Sequence, residues 1–444
     1  MKINSLKLEN FRRFKSLAID FHPELTVLAA RNGQGKTAVL DASAIALGTF
    51  VGAFDLGKTK SIEYRDAMYQ SLPDQPDNEQ AYPVRVEAAL DDVDAPVIRE
   101  LNGAKGRTTI KDARALTQLG KELMQQVRDL EPVALPLLAY YGSGRLWHRH
   151  KNISRKTVLS ASRTMGYEDC FSPASSFTQV QQWMTKATFA ALQEKSLEGY
   201  KGYSIFEQIS GIEETVNTVL RHEEWGRFHY SMHHEELAML HEELGVLPVS
   251  MLSDGVRAMV SLVADMAWRC AKLNPQMGAQ AQQHTKGVVF IDEVDMHLHP
   301  RWQQTVVDSL RAAFPNVQFI VTTHSPQVLS TIRREHIRII HNDASGNAVA
   351  EAPLDRTYGE PSNTVLHSVM LVDPQPPVAE KKMLQRLTEL VDQGLYHGDE
   401  AQELIQNLNA ALGEQHPQLE RLQRSIKRQE ALSAAPANQP KGTD

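Results

Sequence analysis

An α/β fold is predicted by three stretches in which a short, apolar, β-rich run gives way to a polar loop. Residues 25–29 (LTVLA) run into 30–37 (ARNGQGKT), residues 287–291 (GVVFI) into Asp292-Glu293, and residues 317–322 into Thr323-His324-Ser325-Pro326. Runs of this length and composition read as buried strands, and α/β sheets bind ligands at the carboxyl ends of such strands.

The remaining elements follow in chain order. Residues 3–8 and 17–21 read as strands, and residues 38–47 as the helix behind the glycine-rich loop. Residues 74–78 are polar and Pro-containing, a surface loop. Residues 84–90 alternate as a half-buried strand, with 107–110 as a partner strand. Residues 133–141 (VALPLLAYY) form another apolar strand, ending in Gly142-Ser143-Gly144-Arg145. From 151 to 224 the pattern is helical with Ser and Gly breaks. Short strands at 228–232, 237–240 and 249–252 surround a turn at Gly245. Residues 256–272 form a strong helix, 279–286 a polar loop, and 302–314 a helix stopped by Pro315. After 373, three groups recur at helical spacing: Leu384, Leu387 and Leu390; Leu404, Ile405 and Leu408; Leu419, Leu422 and Ile426. This reading divides the chain into 1–150, 151–227, 228–372, a helical segment 373–433 and a disordered tail 434–444.

Length allows two to four structural units in 444 residues. A net charge of −7 excludes attraction of nucleic acid by the field of the whole chain, so DNA binding requires a local basic patch. Two distant cysteines, Cys170 and Cys270, fit no metal spacing and point to a reducing compartment. The charged start MKINSLKLENFRRF lacks the apolar run of a signal peptide, and no segment reaches the roughly 18 apolar residues of a membrane span. The expectation is a soluble cytoplasmic protein without membrane contact.

Chemistry concentrates in the three loops. Asn32-Gly33-Gln34-Gly35-Lys36-Thr37-Ala38 offers main-chain N–H groups at a helix start, a lysine for β- and γ-phosphates and a hydroxyl for Mg²⁺. Its first customary glycine is Ala30, a mild departure if the backbone there has negative φ. Asp292 is placed to hold Mg²⁺ through water, and Glu293 to orient or deprotonate an attacking water. His324 is placed to contact a γ-phosphate or sense its loss.

With Phe11-Arg12-Arg13-Phe14 and Leu252-Ser253-Asp254-Gly255 added, these residues resemble the ABC-type ATPase heads of the SMC, RecF, RecN and OLD proteins. The resemblance implies an ABC-type head with a mixed P-loop sheet, a short helical insertion and a C-terminal helical segment. It implies ATP and Mg²⁺ as cofactors, with Arg12 and residues 32–38 on the nucleotide. It also implies that Ser253, Asp254 and Gly255 cap the γ-phosphate held by a second copy in a head-to-head dimer. Asp254, where the family often has glycine, either places negative charge near phosphate or caps the following helix. Segments 135–147, 292–300 and 358–370 look closer to OLD-like ATPases without a nuclease domain, such as the ATPase subunit of the Septu anti-phage system and of related retron systems. That branch implies a DNA-targeting HNH nuclease as a separate partner chain, with DNA reached through the complex. There is no clear Q-loop glutamine, and the 141–145 turn is the expected substitute. The segment after 373 has no acidic toprim-like pattern, so no nuclease is assigned to this chain.

Weaker signals stay open. Residues 145–163 gather Arg145, His148, Arg149, His150, Lys151, Arg155, Lys156 and Arg163 around Trp147, suiting either DNA phosphates or a solvated loop. His222, His229, His233, His234 and His241 lack metal spacing. His297 and His299, beside Asp295, are expected to support the ATP site. Arg421, Arg424 and Arg428 lie opposite the apolar positions of the last helix, serving its own packing, a partner or DNA. A nucleotide-sensing scaffold with little hydrolysis, motivated by Ala30 and Asp254, and a RecF-like repair ATPase are the alternatives to an ATPase that regulates a nuclease.

Overall fold

The computed structural model describes residues 1–71, 78–144, 162–173, 177–194, 204–221, 224–413 and 415–434. They form two units, Met1–Leu371 and Val372–Asp444.

The first unit opens with β1 (Ile3–Phe11), β2 (Phe14–Asp20), β3 (Leu25–Ala29) and α1 (Lys36–Val51). There follow β4 (Tyr69–Ser71), β5 (Asn78–Gln80), β6 (Val84–Leu90), β7 (Val97–Leu101), α2 (Arg114–Arg128) and β8 (Leu137–Tyr141). Helices α3 (Phe177–Glu194) and α4 (Ile205–Leu220) lead to the hairpins β9 (Trp225–Ser231), β10 (Glu236–His241) and β11 (Gly245–Pro248). The last part holds α5 (Asp254–Leu273), α6 (Ala281–His284), β12 (Gly287–Ile291), α7 (Pro300–Gln303), α8 (Val306–Ala313), β13 (Val317–Thr323), α9 (Pro326–Leu329), β14 (Ile337–Asn342), β15 (Ala348–Glu351) and α10 (Ser362–Ser368).

Burial patterns separate two kinds of strand. β3, β8, β12 and β13 are buried at every residue, whereas β6 and β7 alternate buried with half-buried. The fully buried strands lie in a six-stranded sheet of order β15-β14-β3-β13-β12-β8, parallel except for β15. The alternating strands belong to an antiparallel sheet of order β2-β1-β6-β7. Because side chains alternate faces, the central sheet feeds two cores. Val27, Ala139, Val289 and Val321 pack with α4 and α5 on one face. Leu28, Tyr140, Phe290 and Ile320 pack with α1 and the antiparallel sheet on the other.

Several expectations are corrected. The partner of β6 is Val97–Leu101, not residues 107–110. Its inward positions are Val97, Arg99 and Leu101, and the inward arginine breaks the apolar alternation. Arg99 is fully buried and donates to the carbonyls of Thr109 and Ile45; burial pushes its guanidinium down to about 10. The strand at 133–141 begins only at Leu137, since Pro136 has no N–H for a ladder. Residues 249–251 form a 3₁₀ turn, and the strand is Gly245–Pro248. Residues 279–286 are largely helical turns rather than loop. The helix at 302–314 is broken into α7 and α8, because the Trp302 carbonyl accepts from the N–H and Oγ1 of Thr305.

A buried ion pair ties α5 to the sheet. Asp265 and Arg269, each nearly inaccessible, meet at 2.8 Å, and the Tyr141 hydroxyl donates to Asp265 at 2.7 Å. Burial disfavours the Arg269 charge, but the Asp265 carboxylate outweighs it and raises the guanidinium above its ordinary value. Asp265→Ala leaves that charge unpaired and is expected to cost about 3–5 kcal/mol. Urea unfolding checks this; a loss below about 1 kcal/mol, the scale of a surface pair, would show the network is not structural.

The second unit packs α11 (Lys381–Asp392), α12 (Asp399–Leu412) and α13 (Pro417–Ala434). All nine leucines and isoleucines expected at helical spacing lie in or against its core. Arg424 pairs with Glu420 on the exposed side of α13.

Candidate nucleotide-binding site

A phosphate loop turns N–H groups inward, which needs left-handed backbone at chosen residues. Gly33 (φ 73°) and Gly35 (φ 90°) supply it. A Cβ on Gly35 would also stand 2.4 Å from Cζ of buried Phe14. Ala30 is not among the residues with positive φ, so the departure from glycine carries no backbone strain. Its carbonyl accepts from Lys36 Nζ at 3.1 Å.

Lys36 begins α1 and is 7% exposed. Its other partner is Nε2 of His324, at 2.7 Å. Among the described residues it has no carboxylate within ion-pair distance. Burial pushes its pKa down, against the more distant pull of Asp292, Glu293 and Asp295. A buried ammonium held only by neutral groups is costly. At a helix start, a bound anion such as phosphate would resolve that cost.

Asp292 directly follows β12 and is 4% exposed. Its two oxygens accept from Thr37 Oγ1 at 2.9 Å and Thr322 Oγ1 at 2.6 Å, and its N–H donates to the Tyr141 carbonyl at 2.8 Å. The Thr37–Asp292 pair is a hard-oxygen set that suits Mg²⁺. Glu293 adopts left-handed backbone (φ 50°), with its N–H donating to Thr322 Oγ1 at 2.8 Å. Such backbone costs a non-glycine residue about 1–2 kcal/mol and gathers at functional sites. Asp295 accepts from Thr323 Oγ1 at 2.5 Å, tying the turn after Glu293 to the strand that carries His324.

Since Lys36 donates, His324 Nε2 accepts and the ring is neutral. Burial lowers the His324 pKa from the ordinary 6.5, and the Lys36 charge lowers it further. The unfolded chain therefore binds this proton first. Stability from the neutral ring is complete above about pH 6.5 and is lost as pH falls through the lowered folded value. The melting temperature of the wild type is expected to fall more steeply from pH 7 to 5 than that of His324→Gln. Parallel curves would contradict the assignment.

The two arginines of the β1–β2 turn diverge. Arg12 pairs with Asp41 at 2.8 Å and Asp66 at 2.9 Å, whereas Arg13 Nη1 donates to the Gly33 carbonyl. The arginine that touches the loop is thus Arg13. Arg12, Asp41, Lys60, Asp66 and Asp169 border a cavity of about 490 Å³ beside α1.

The chain matches an "AAA domain" family over residues 5–221 and the family "AAA domain, putative AbiEii toxin, Type IV TA system" over 184–330. It is 23% identical to the "Retron Vc95 probable ATPase" of Vibrio cholerae serotype O1 biovar El Tor, over 86% of this chain and 82% of that protein. It is 41% identical to the "Septu protein PtuA" of Bacillus mycoides (strain KBAB4), over 17% of this chain and 10% of that protein. These matches make the chain similar to SMC/RecF-like ATPases and to PtuA. Among solved structures, an Smc head bound to the C-winged helix domain of ScpA is 15% identical with a TM-score of 0.49, covering 79% of this chain and 98% of that one.

The signature-like residues stand apart from the contacts of the glycine loop. Ser253 and Asp254 are exposed at the start of α5. Asp254 does not cap that helix: it is the first helical residue and pairs with Arg257 at 2.6 Å. Gly255 abuts its own chain's 293–298 turn, where a Cβ would lie 2.5 Å from the His297 carbonyl. His299 caps α7, accepting from the Arg301 N–H. Tyr141 turns its hydroxyl to Asp265, so its side chain does not serve as a Q-loop. The basic residues from Arg145 to Lys156, and His222, lie outside the described residues; Arg163 donates to the carbonyls of Leu273 and Val133. Sequence reasoning missed Arg13, the double role of Thr322 and the Asp41 hub. Thr322, a polar residue in a fully buried strand, carried the only visible signal. Among the described residues no helix is long and apolar enough to cross a membrane.

Proposed function

We propose that this chain is an ATP-hydrolysing head that closes on a second copy around MgATP and thereby controls a DNA-targeting HNH nuclease, carried on a separate chain, in anti-phage defence. The observation that carries the ATP reading is the buried Lys36 ammonium, which among the described residues has no bonded carboxylate and is set between a glycine loop and Asp292. The defence reading rests on the retron and Septu relatives and on the resemblance from which the nuclease partner is taken.

In this reading the loop N–H groups and Lys36 bind the phosphates, and Thr37 and Asp292 hold Mg²⁺. Bound Mg²⁺ neutralises phosphate charge. Glu293 orients and deprotonates water, and His324 exchanges its bond to Lys36 for one to the γ-phosphate. Ser253 and the helix start at Gly255 offer donors to the phosphate of the second copy. ATP then favours the closed pair by binding it more tightly than the open one. The 373–433 segment is proposed as the partner-docking region.

Gel filtration of Glu293→Gln with and without MgATP tests closure; an ATP-independent monomer counts against it. Purification from the native operon with mass spectrometry tests the partner. A co-purifying HNH protein supports the reading, and a repair protein replaces it. Turnover at background, unchanged by Glu293→Gln, leaves a nucleotide-sensing scaffold.

A further inference from the structure

The β1–β2 turn is the second face of the phosphate loop. Phe11 and Phe14 are register partners, so Arg12 and Arg13 alone make the turn. Arg12 is committed to Asp41 and Asp66, and its N–H to the Asp66 carbonyl. Arg13 faces the loop. Its Nη1 donates to the Gly33 carbonyl, and its Cδ lies 3.0 Å from where a Gly35 Cβ would be. Its guanidinium sits over the Phe14 ring, 5.9 Å from the centroid. Arg13 Nε and Gln34 Oε1 are buried without hydrogen-bond partners. Gly33 itself is exposed and open around its Cα, so no packing holds it in its left-handed conformation.

A loop that turns N–H groups inward must turn carbonyls outward, and each outward carbonyl needs a partner. For Gly33 that partner is a guanidinium, whose charge-assisted bond is stronger than one to water. We infer that Arg13 is a positioning residue for nucleotide: it holds the Gly33 carbonyl out, so that the loop waits in its phosphate-binding form. Phe14 completes the clamp by excluding any side chain at position 35. The inference rests on the ATP reading and adds a residue to which that reading assigned no role.

The role has a specific signature. Main-chain N–H groups of such loops cradle the α- and β-phosphates. Loss of Arg13 therefore weakens ADP and ATP alike. A residue that touched the γ-phosphate would weaken ATP alone.

The experiment titrates the full chain with fluorescent ADP and fluorescent ATP, each with Mg²⁺, for wild type, Arg13→Ala, Arg13→Lys and Lys36→Ala. Arg13→Ala is expected to raise both dissociation constants by about tenfold, the scale of one charge-assisted bond. Arg13→Lys, which keeps one charged donor, is expected to recover part of the loss and supplies the answer should Arg13→Ala fail to fold. The inference is overturned if ATP alone is weakened, or if both variants bind both nucleotides like the wild type. In that last case Lys36→Ala, by losing binding, would leave the ATP reading standing. Absence of binding by the wild type would remove both.

Discussion

Replacing Glu293 with glutamine is expected to slow ATP turnover by about 10²–10⁴-fold while nucleotide affinity stays within a few-fold. Glutamine is nearly isosteric and retains the backbone that matters for geometry. The position 293 N–H still donates to Thr322 Oγ1, and Asp292 keeps its bonds to Thr37 and Thr322. What disappears is the carboxylate proposed to take a proton from water. Single-turnover hydrolysis measured alongside equilibrium binding separates the two effects. Undiminished turnover would remove Glu293 from the chemistry, and an equal loss of binding would assign it to the ground-state complex instead.

Gly35→Ala is expected to reduce nucleotide affinity by at least roughly 100-fold, and Gly33→Ala by much less. Both place a Cβ on left-handed backbone, costing about 1–3 kcal/mol. Only at position 35 does the methyl also meet an immovable neighbour, Phe14 Cζ at 2.4 Å. Phe14 is wholly buried and cannot step aside. The loop must then move, and with it the N–H groups that define the site. The double variant Gly35→Ala/Phe14→Leu should recover part of the binding. Equal effects of the two single alanines would show that backbone strain alone decides.

The strands that carry the candidate site were legible because burial on both faces writes itself as an apolar run. β3, β12 and the body of β13 lie where their composition predicts. The polar residues that follow them meet in two pairs, Lys36 with His324 and Thr37 with Asp292, although Thr37 and Asp292 are 255 positions apart. The illegible parts have a common cause: polar atoms do structural work out of sight. Arg99 occupies an inward strand position and hides β7. Thr305 folds back on Trp302 and splits a helix that periodicity joins. The opposite orientations of Arg12 and Arg13 depend on Asp41 and Asp66, which no local pattern links to the turn. The exposed signature-like loop is legible as a motif. Its close approach to His297 is not, since only the folded chain brings Gly255 and the 293–298 turn together.

The strand order also has a consequence for how the protein comes off the ribosome. β3, near the start of the chain, has as its two neighbours β13 and β14, which begin at residues 317 and 337. The glycine loop is therefore synthesised long before either flank of its strand exists. At about 5–20 residues per second, it waits on the order of 15–60 s for the intervening residues. During that interval Lys36 lacks His324 and Thr37 lacks Asp292. A nascent chain thus cannot assemble these contacts until about three-quarters of its length has been made.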